Sequence, residues 1–128
     1  MDFPDNLFYT KDHEWVLVEG NTATIGLTDY AQEQLGDIVF VDLPNKGQDL
    51  NKEETFGVVE SVKSVSDCLM PMSGKITDIN DSLANNPDVI NEAPYDEGWM
   101  IKIELTKPEE KTSLLTPSAY ETYVNEEL

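Results

Sequence analysis

Arginine is absent from this sequence, and histidine and cysteine occur once each, as His13 and Cys68. A lone thiol excludes an internal disulfide and fits a reducing compartment. One imidazole and one thiol make no clustered ligand set for zinc. The acidic residues do not fall at calcium-loop spacing, and no glycine-rich phosphate loop is present. His13 has no nucleophile-elbow context, so a serine hydrolase has no support; it reads as a structural residue at a strand edge. No apolar run approaches the ~20 residues of a membrane span. The opening Met1-Asp2-Phe3-Pro4 has neither the basic nor the apolar region of a signal peptide, and a cytoplasmic location is expected.

What the chain has in excess is carboxylate. Twenty-six acids face 8 lysines, for a net charge of −18. Such a chain repels phosphate backbones and anionic lipid, so neither nucleic acid nor membrane is an expected partner. The charge reads either as a solubility device or as steering towards basic mouths on partner enzymes. At 128 residues one domain spanning 1–128, and a monomer, are expected. Its folded surface should be roughly 6,800 Å², with about two-thirds of the unfolded surface buried.

Residues 1–8 form a lead-in whose Phe3, Leu7 and Phe8 can dock on a core. Glu14 to Glu19 and Thr22 to Leu27 read as strands joined by the Gly20-Asn21 turn. Thr28 or Asp29 can cap a short helix, with Gln32 three after Asp29 as in a capping box. Tyr30, Ala31 and Leu35 give that helix an apolar side, and Gly36 ends it. Asp37 to Leu43 is a β-branched strand, followed by a turn at Pro44 to Gly47. Lys75 to Ile79 is a further strand. Residues 80–98 read as a long loop, of a length that is usually functional. Trp99 to Leu105 alternates, with Trp99, Ile101, Ile103 and Leu105 on one face and Met100 and Lys102 on the other. Pro108 can open a helix through Leu115, and Pro117 a second one carrying Tyr120 and Val124 on one face. Trp15 and Trp99 read as core aromatics, Gly26, Gly57 and Gly74 as close-approach or turn positions, and Cys68 as a small buried hydrophobe. Short strands with Gly and Pro turns predict a mainly β fold, an antiparallel sandwich or flattened barrel.

One stretch stands apart. Glu60-Ser61-Val62-Lys63-Ser64-Val65-Ser66-Asp67 is nearly palindromic about Lys63-Ser64, which predicts a hairpin turning on those two residues. Val62 would then face Val65, Ser61 face Ser66 and Glu60 face Asp67. Lys-Ser lacks the positive-φ residues that two-residue turns favour, and Glu60 opposite Asp67 would set like charges across a strand pair. Local rules that fail together mark a functional site; a solvated turn lysine is the plainer reading. A Schiff-base lysine needs desolvation or a cationic neighbour, whereas Glu60 and Asp67 would hold this ammonium charged at an exposed tip. Lys63 is therefore compatible with modification by another enzyme, not with catalysis by its own amine.

This hairpin, with His13-Glu14-Trp15-Val16, Gly26-Leu27-Thr28-Asp29-Tyr30-Ala31-Gln32, Leu35-Gly36-Asp37-Ile38-Val39-Phe40-Val41, Pro71-Met72-Ser73-Gly74, Pro94-Tyr95 and Gly98-Trp99, resembles the glycine cleavage system H-protein family. The resemblance runs from Tyr9 to about Tyr120, and the order and spacing of the segments carry it. It implies a lipoyl-domain-like hybrid barrel-sandwich of two antiparallel sheets, with a short inserted helix and C-terminal helices. It implies lipoate in amide linkage on Lys63, with Glu60 in the attachment motif. It implies a non-enzymatic carrier that takes the aminomethyl group of glycine from glycine decarboxylase to an aminomethyltransferase, with dihydrolipoamide dehydrogenase and a lipoate-attaching enzyme as further partners. In a eukaryote the mitochondrial matrix would be the compartment. Glu14 and Asp67 match acidic cleft positions of the family, and Gln34 stands where some members have histidine. Two other readings stay open: an H-like protein that mainly relays lipoyl groups to other complexes, and a small acidic binding module without cofactor. A biotin carrier fits less well, because methionines flank the lysine in that family and Val62 and Ser64 flank it here.

Overall fold

A computed structural model describes residues 1–127. Among the described residues nine strands form two antiparallel sheets. The strands are β1 (Phe8–Tyr9), β2 (Glu14–Glu19), β3 (Thr22–Leu27), β4 (Ile38–Asp42), β5 (Asp49–Leu50), β6 (Thr55–Ser61), β7 (Val65–Leu69), β8 (Gly74–Ile79) and β9 (Ile101–Leu105). The larger sheet runs β1-β2-β3-β9-β8-β5 and the smaller β4-β6-β7. Helices α1 (Asp29–Leu35), α2 (Val89–Glu92) and α3 (Pro117–Glu127) decorate them, with short 3₁₀ turns at Asp81–Ala84 and Pro108–Ser113.

The sheets close on one apolar core. Val16, Ile25, Ile76 and Ile103 enter it from the larger sheet, and Val41, Val59 and Cys68 from the smaller. Each fully buried aliphatic side chain contributes about 2 kcal/mol. A second, aromatic cluster of Tyr9, Trp15, Tyr30 and Tyr120 seats α3, with Tyr9 and Tyr120 stacked at 4.6 Å and 3°. The total accessible surface, 6502 Å², is close to the value expected from mass.

Most of the expected strands form, and Ile101, Ile103 and Leu105 are buried in alternation. Several expectations need correction. Residues 80–98 are not one loop; they hold a 3₁₀ turn and α2, whose Ile90 is fully buried. Met100 is also fully buried. It precedes β9, and its N–H reaches Ile25 O at 2.8 Å, so the strand alternation does not yet apply. Trp99 is half-buried with the Lys102 ammonium 4.9 Å from its ring, and Trp15 is the buried one. The segment opened by Pro108 ends at Ser113, and Leu115 instead makes a two-bond bridge with Tyr9. Phe8, the last residue of the expected lead-in, joins Tyr9 in a short strand, and Asp49–Leu50 form another that the sequence reading did not mark.

Candidate functional site

The lysine hairpin is β6–β7, but its register differs from the palindrome. Glu60 faces Val65, Val59 faces Ser66 and Val58 faces Asp67. Glu60 and Asp67 are not opposite each other, so the expected like-charge pair does not occur. The turn centres on Val62-Lys63, closed by Ser61 N–H donating to Ser64 O at 2.8 Å. Glycine is unnecessary because Ser61 Oγ accepts from Ser64 N at 3.0 Å and from Lys63 N at 3.3 Å. A hydroxyl that takes both amides stabilises the bend in place of a primed turn. Core packing sets this register. Val41, Val59 and Ser66 form the inward row, and sliding the strands by one would bring charged residues to the core face.

Outside, Phe40, Glu60 and Val65 make one cross-strand row and Asp42, Val58 and Asp67 the next. Phe40 is 51 %, Val65 65 % and Val62 68 % exposed. Acidic and apolar groups thus alternate on the face leading to Lys63.

Lys63 is exposed at the tip, and its side chain lies over the end of α1. A Cβ on Gly36 would stand 3.3 Å from Lys63 Cε and 3.9 Å from Nζ. Gly36 has φ 81° and ψ −161°, a region essentially restricted to glycine. Helix α1 begins where Thr28 Oγ1 accepts from Ala31 N at 3.1 Å. The cap is Thr28, and Gln32 Nε2 instead donates to Asp29 Oδ1 at 2.8 Å.

Between α1, the turn entering β2 and strand β7 lies a cleft of about 150 Å³, lined by Asp12, His13, Leu27, Ala31, Gln34, Leu35, Ser66 and Asp67. The structure therefore brings Gln34 and Asp67 together. Asp12 adds a second carboxylate, which no spacing in the sequence marks. His13 borders the cleft as well as serving the fold. It sits at φ 69°, a conformation costing about 1 kcal/mol or more. It is held there by Tyr120 Oη at 2.9 Å from Nδ1, Glu127 at 3.3 Å from Nε2, and Thr28 N–H on its carbonyl. Burial lowers its pKa, against Glu127 and Asp12, which raise it.

Glu14 lines a neighbouring cavity of about 170 Å³ that shares Asp12 with the cleft. It is only 1 % exposed. Thr10 Oγ1 donates to Oε1 at 2.6 Å and the Leu69 N–H to Oε2 at 3.3 Å, so the carboxyl ties β2 to the return strand of the hairpin. Burial, opposed by those two hydrogen bonds, pushes its pKa up to about 7. Glu60 lines neither cavity. Cys68 is buried, and desolvation with Glu14 and Asp67 nearby raises its thiol pKa, which makes it a poor nucleophile at neutral pH.

The arrangement is a fixed base with an exposed primary amine at its tip and an acidic cleft beside it. Among the described residues no group of acids, His and Cys could hold a metal, and no helix is long and apolar enough to cross a membrane. The glycine cleavage H-protein family profile matches residues 7–127. Among relatives, the glycine cleavage system H protein of Salinibacter ruber is 54% identical over 120 residues, covering 94% of this chain and 97% of that protein. The one from Bacteroides thetaiotaomicron is 50% identical over 125 residues, covering 98% and 99%. The crystal structure of a glycine cleavage system H protein from Mycobacterium marinum superposes with a TM-score of 0.83 at 35% identity, covering 97% of this chain and 98% of that one. The profile, the near full-length identities and the shared two-sheet architecture agree, and the chain belongs to the glycine cleavage H-protein family.

Proposed function

We propose that Lys63 is the residue on which this chain carries a lipoyl group, and that the cleft of Asp12, Gln34 and Asp67 receives the end of the loaded arm. The chain is a carrier within glycine cleavage and not itself an enzyme. The observation that carries the assignment is the exposed amine of Lys63 at a turn whose geometry Ser61 fixes from within. An attaching enzyme needs an amine it can surround, and a hairpin tip offers one without unfolding its base. The fit to lipoate rests on this chain's own groups: an amine for the amide bond, an apolar wall of Leu27, Ala31 and Leu35, and carboxylates at the cleft.

Held in amide linkage by Lys63, a lipoyl group would supply a disulfide able to take up an aminomethyl unit, with glycine decarboxylase, an aminomethyltransferase and dihydrolipoamide dehydrogenase as the partners that would load, unload and reoxidise it. The protein's part is to hold and shelter. Tethering at Lys63 raises the reactive end to an effective concentration on the order of mM at a docked partner. Asp12 and Asp67 attract an ammonium, and Gln34 can donate or accept a hydrogen bond. Leu27, Ala31 and Leu35 exclude water from one side. Glu60 stands on the outer face beside Val65, where an attaching enzyme would meet it.

Intact mass before and after incubation with a lipoate ligase and its substrates tests the assignment. One lipoyl increment is expected on the wild-type chain and none on Lys63→Arg. Equal uptake by the variant would refute it.

A further inference from the structure

Hydrogen bonds from α2 converge on the backbone beneath Lys63. Asn91 Oδ1 accepts from Ile38 N at 2.9 Å, and its Nδ2 donates to Gly36 O at 2.9 Å and to Gln32 Oε1 at 3.0 Å. One amide side chain thus closes both ends of segment 36–38, where the helix has stopped and β4 begins. Asp37, between them, accepts the Val62 N–H at 3.0 Å, and Val62 is the turn residue next to Lys63. Gly36 is the residue over which the Lys63 side chain lies. Asn91 is itself held. Ile90 is fully buried, and Gly98 passes so close to α2 that a Cβ there would stand 2.7 Å from Ala93 O.

We propose that Asn91 is a positioning residue for Lys63, acting through segment 36–38 to keep the hairpin tip in the single arrangement that an attaching enzyme binds. This rests on the reading of Lys63 as the attachment residue. Loss of the clamp leaves the turn intact within β6–β7 but frees it from α1. The competent arrangement becomes a fraction of the population, so the apparent affinity of a partner for the tip falls by that fraction while turnover of the bound complex is unchanged. Asn91→Asp retains the shape and the acceptor for Ile38 N but removes both donors and sets a carboxylate against Gly36 O. Asn91→Ala removes all three bonds.

Two measurements on the full chain decide it: amide hydrogen exchange by residue, and the steady-state kinetics of lipoyl attachment read by intact mass. Both variants should exchange the Val62 amide faster, on the order of tenfold, as a local opening, and Asn91→Ala the Ile38 amide as well, with Ile103 in β9 as protected as in wild type. Attachment should show KM raised by on the order of tenfold with kcat held. A Val62 amide that exchanges as in wild type overturns the proposal, as does an unchanged KM where that amide is faster. Equal loss of protection at Ile103 in both variants also overturns it, since Asn91 would then serve the whole fold. Should wild type gain no lipoyl group at Lys63, the attachment reading fails, and the exchange comparison alone decides whether Asn91 sets the tip.

Discussion

Glu14 shows how one side chain changes meaning between sequence and structure. In sequence it is a strand acid next to a tryptophan. In the fold it is buried, bonded to Thr10 and Leu69, with its pKa raised to about 7 by desolvation. A raised carboxyl pKa means the folded state binds a proton that the unfolded chain has released. Stability therefore falls as pH rises from about 4.5, the ordinary value, to about 7, and is level above. The cost accumulates to about 3 kcal/mol at alkaline pH. Glu14→Gln keeps an acceptor without the charge. Urea unfolding should show it gaining on wild type between pH 5 and pH 8, and a difference independent of pH would contradict the burial argument. Nothing in the spacing of Glu14 announces this environment, because Thr10 approaches from the preceding turn and Leu69 from a distant strand. Lys63 is the opposite case. Its turn is built from adjacent residues, so its exposure at a tip was legible, while the seat of its side chain over Gly36 was not.

At the scale of elements, the hairpin turn is the instructive one. Alternation and the mirrored serines and valines place β6 and β7 correctly, yet the midpoint lies one residue earlier than the palindrome implies. The inward positions of Val59 and Cys68 outweigh the symmetry of side-chain types, because each buried side chain is worth more than a cross-strand preference of a few tenths of a kcal/mol. Ser61 then makes the turn work. Ser61→Ala should cost about 1 kcal/mol and speed amide exchange at Ser64, leaving Val59 protected. An unchanged Ser64 amide would mean that water serves as well as the hydroxyl. The start of α1 was legible to within one residue, at Thr28 or Asp29, since a cap is a local bond, and the structure settles it on Thr28. The short α2 was not, because four residues carry too little periodicity; what holds α2 is the burial of Ile90 and the close passage of Gly98.

For the whole molecule, charge is the dominant feature. A net charge of −18 surrounds an exposed face where Asp42, Glu60 and Asp67 alternate with Phe40, Val58 and Val65. A partner matching it presents cations around apolar contacts. Long-range attraction of this kind acts on encounter and is screened beyond roughly 8 Å at physiological salt. The kcat/KM for lipoyl attachment should fall by on the order of tenfold between low and high salt. A flat profile would assign the charge to solubility alone.

By itself the sequence determined the β class, a helix starting at Thr28 or Asp29, and the exposed lysine between mirrored strands. All of these rest on composition, local hydrogen bonds and period, which need no distant partner. Only the tertiary structure decided the hairpin register, the burial of Glu14, the meeting of Asp12, Gln34 and Asp67 in one cleft, and the hold of Asn91 on the segment under Lys63. Each depends on residues far apart in the chain being brought into contact by the packing of two sheets, and that packing is set by the sum of buried surface rather than by any local signal.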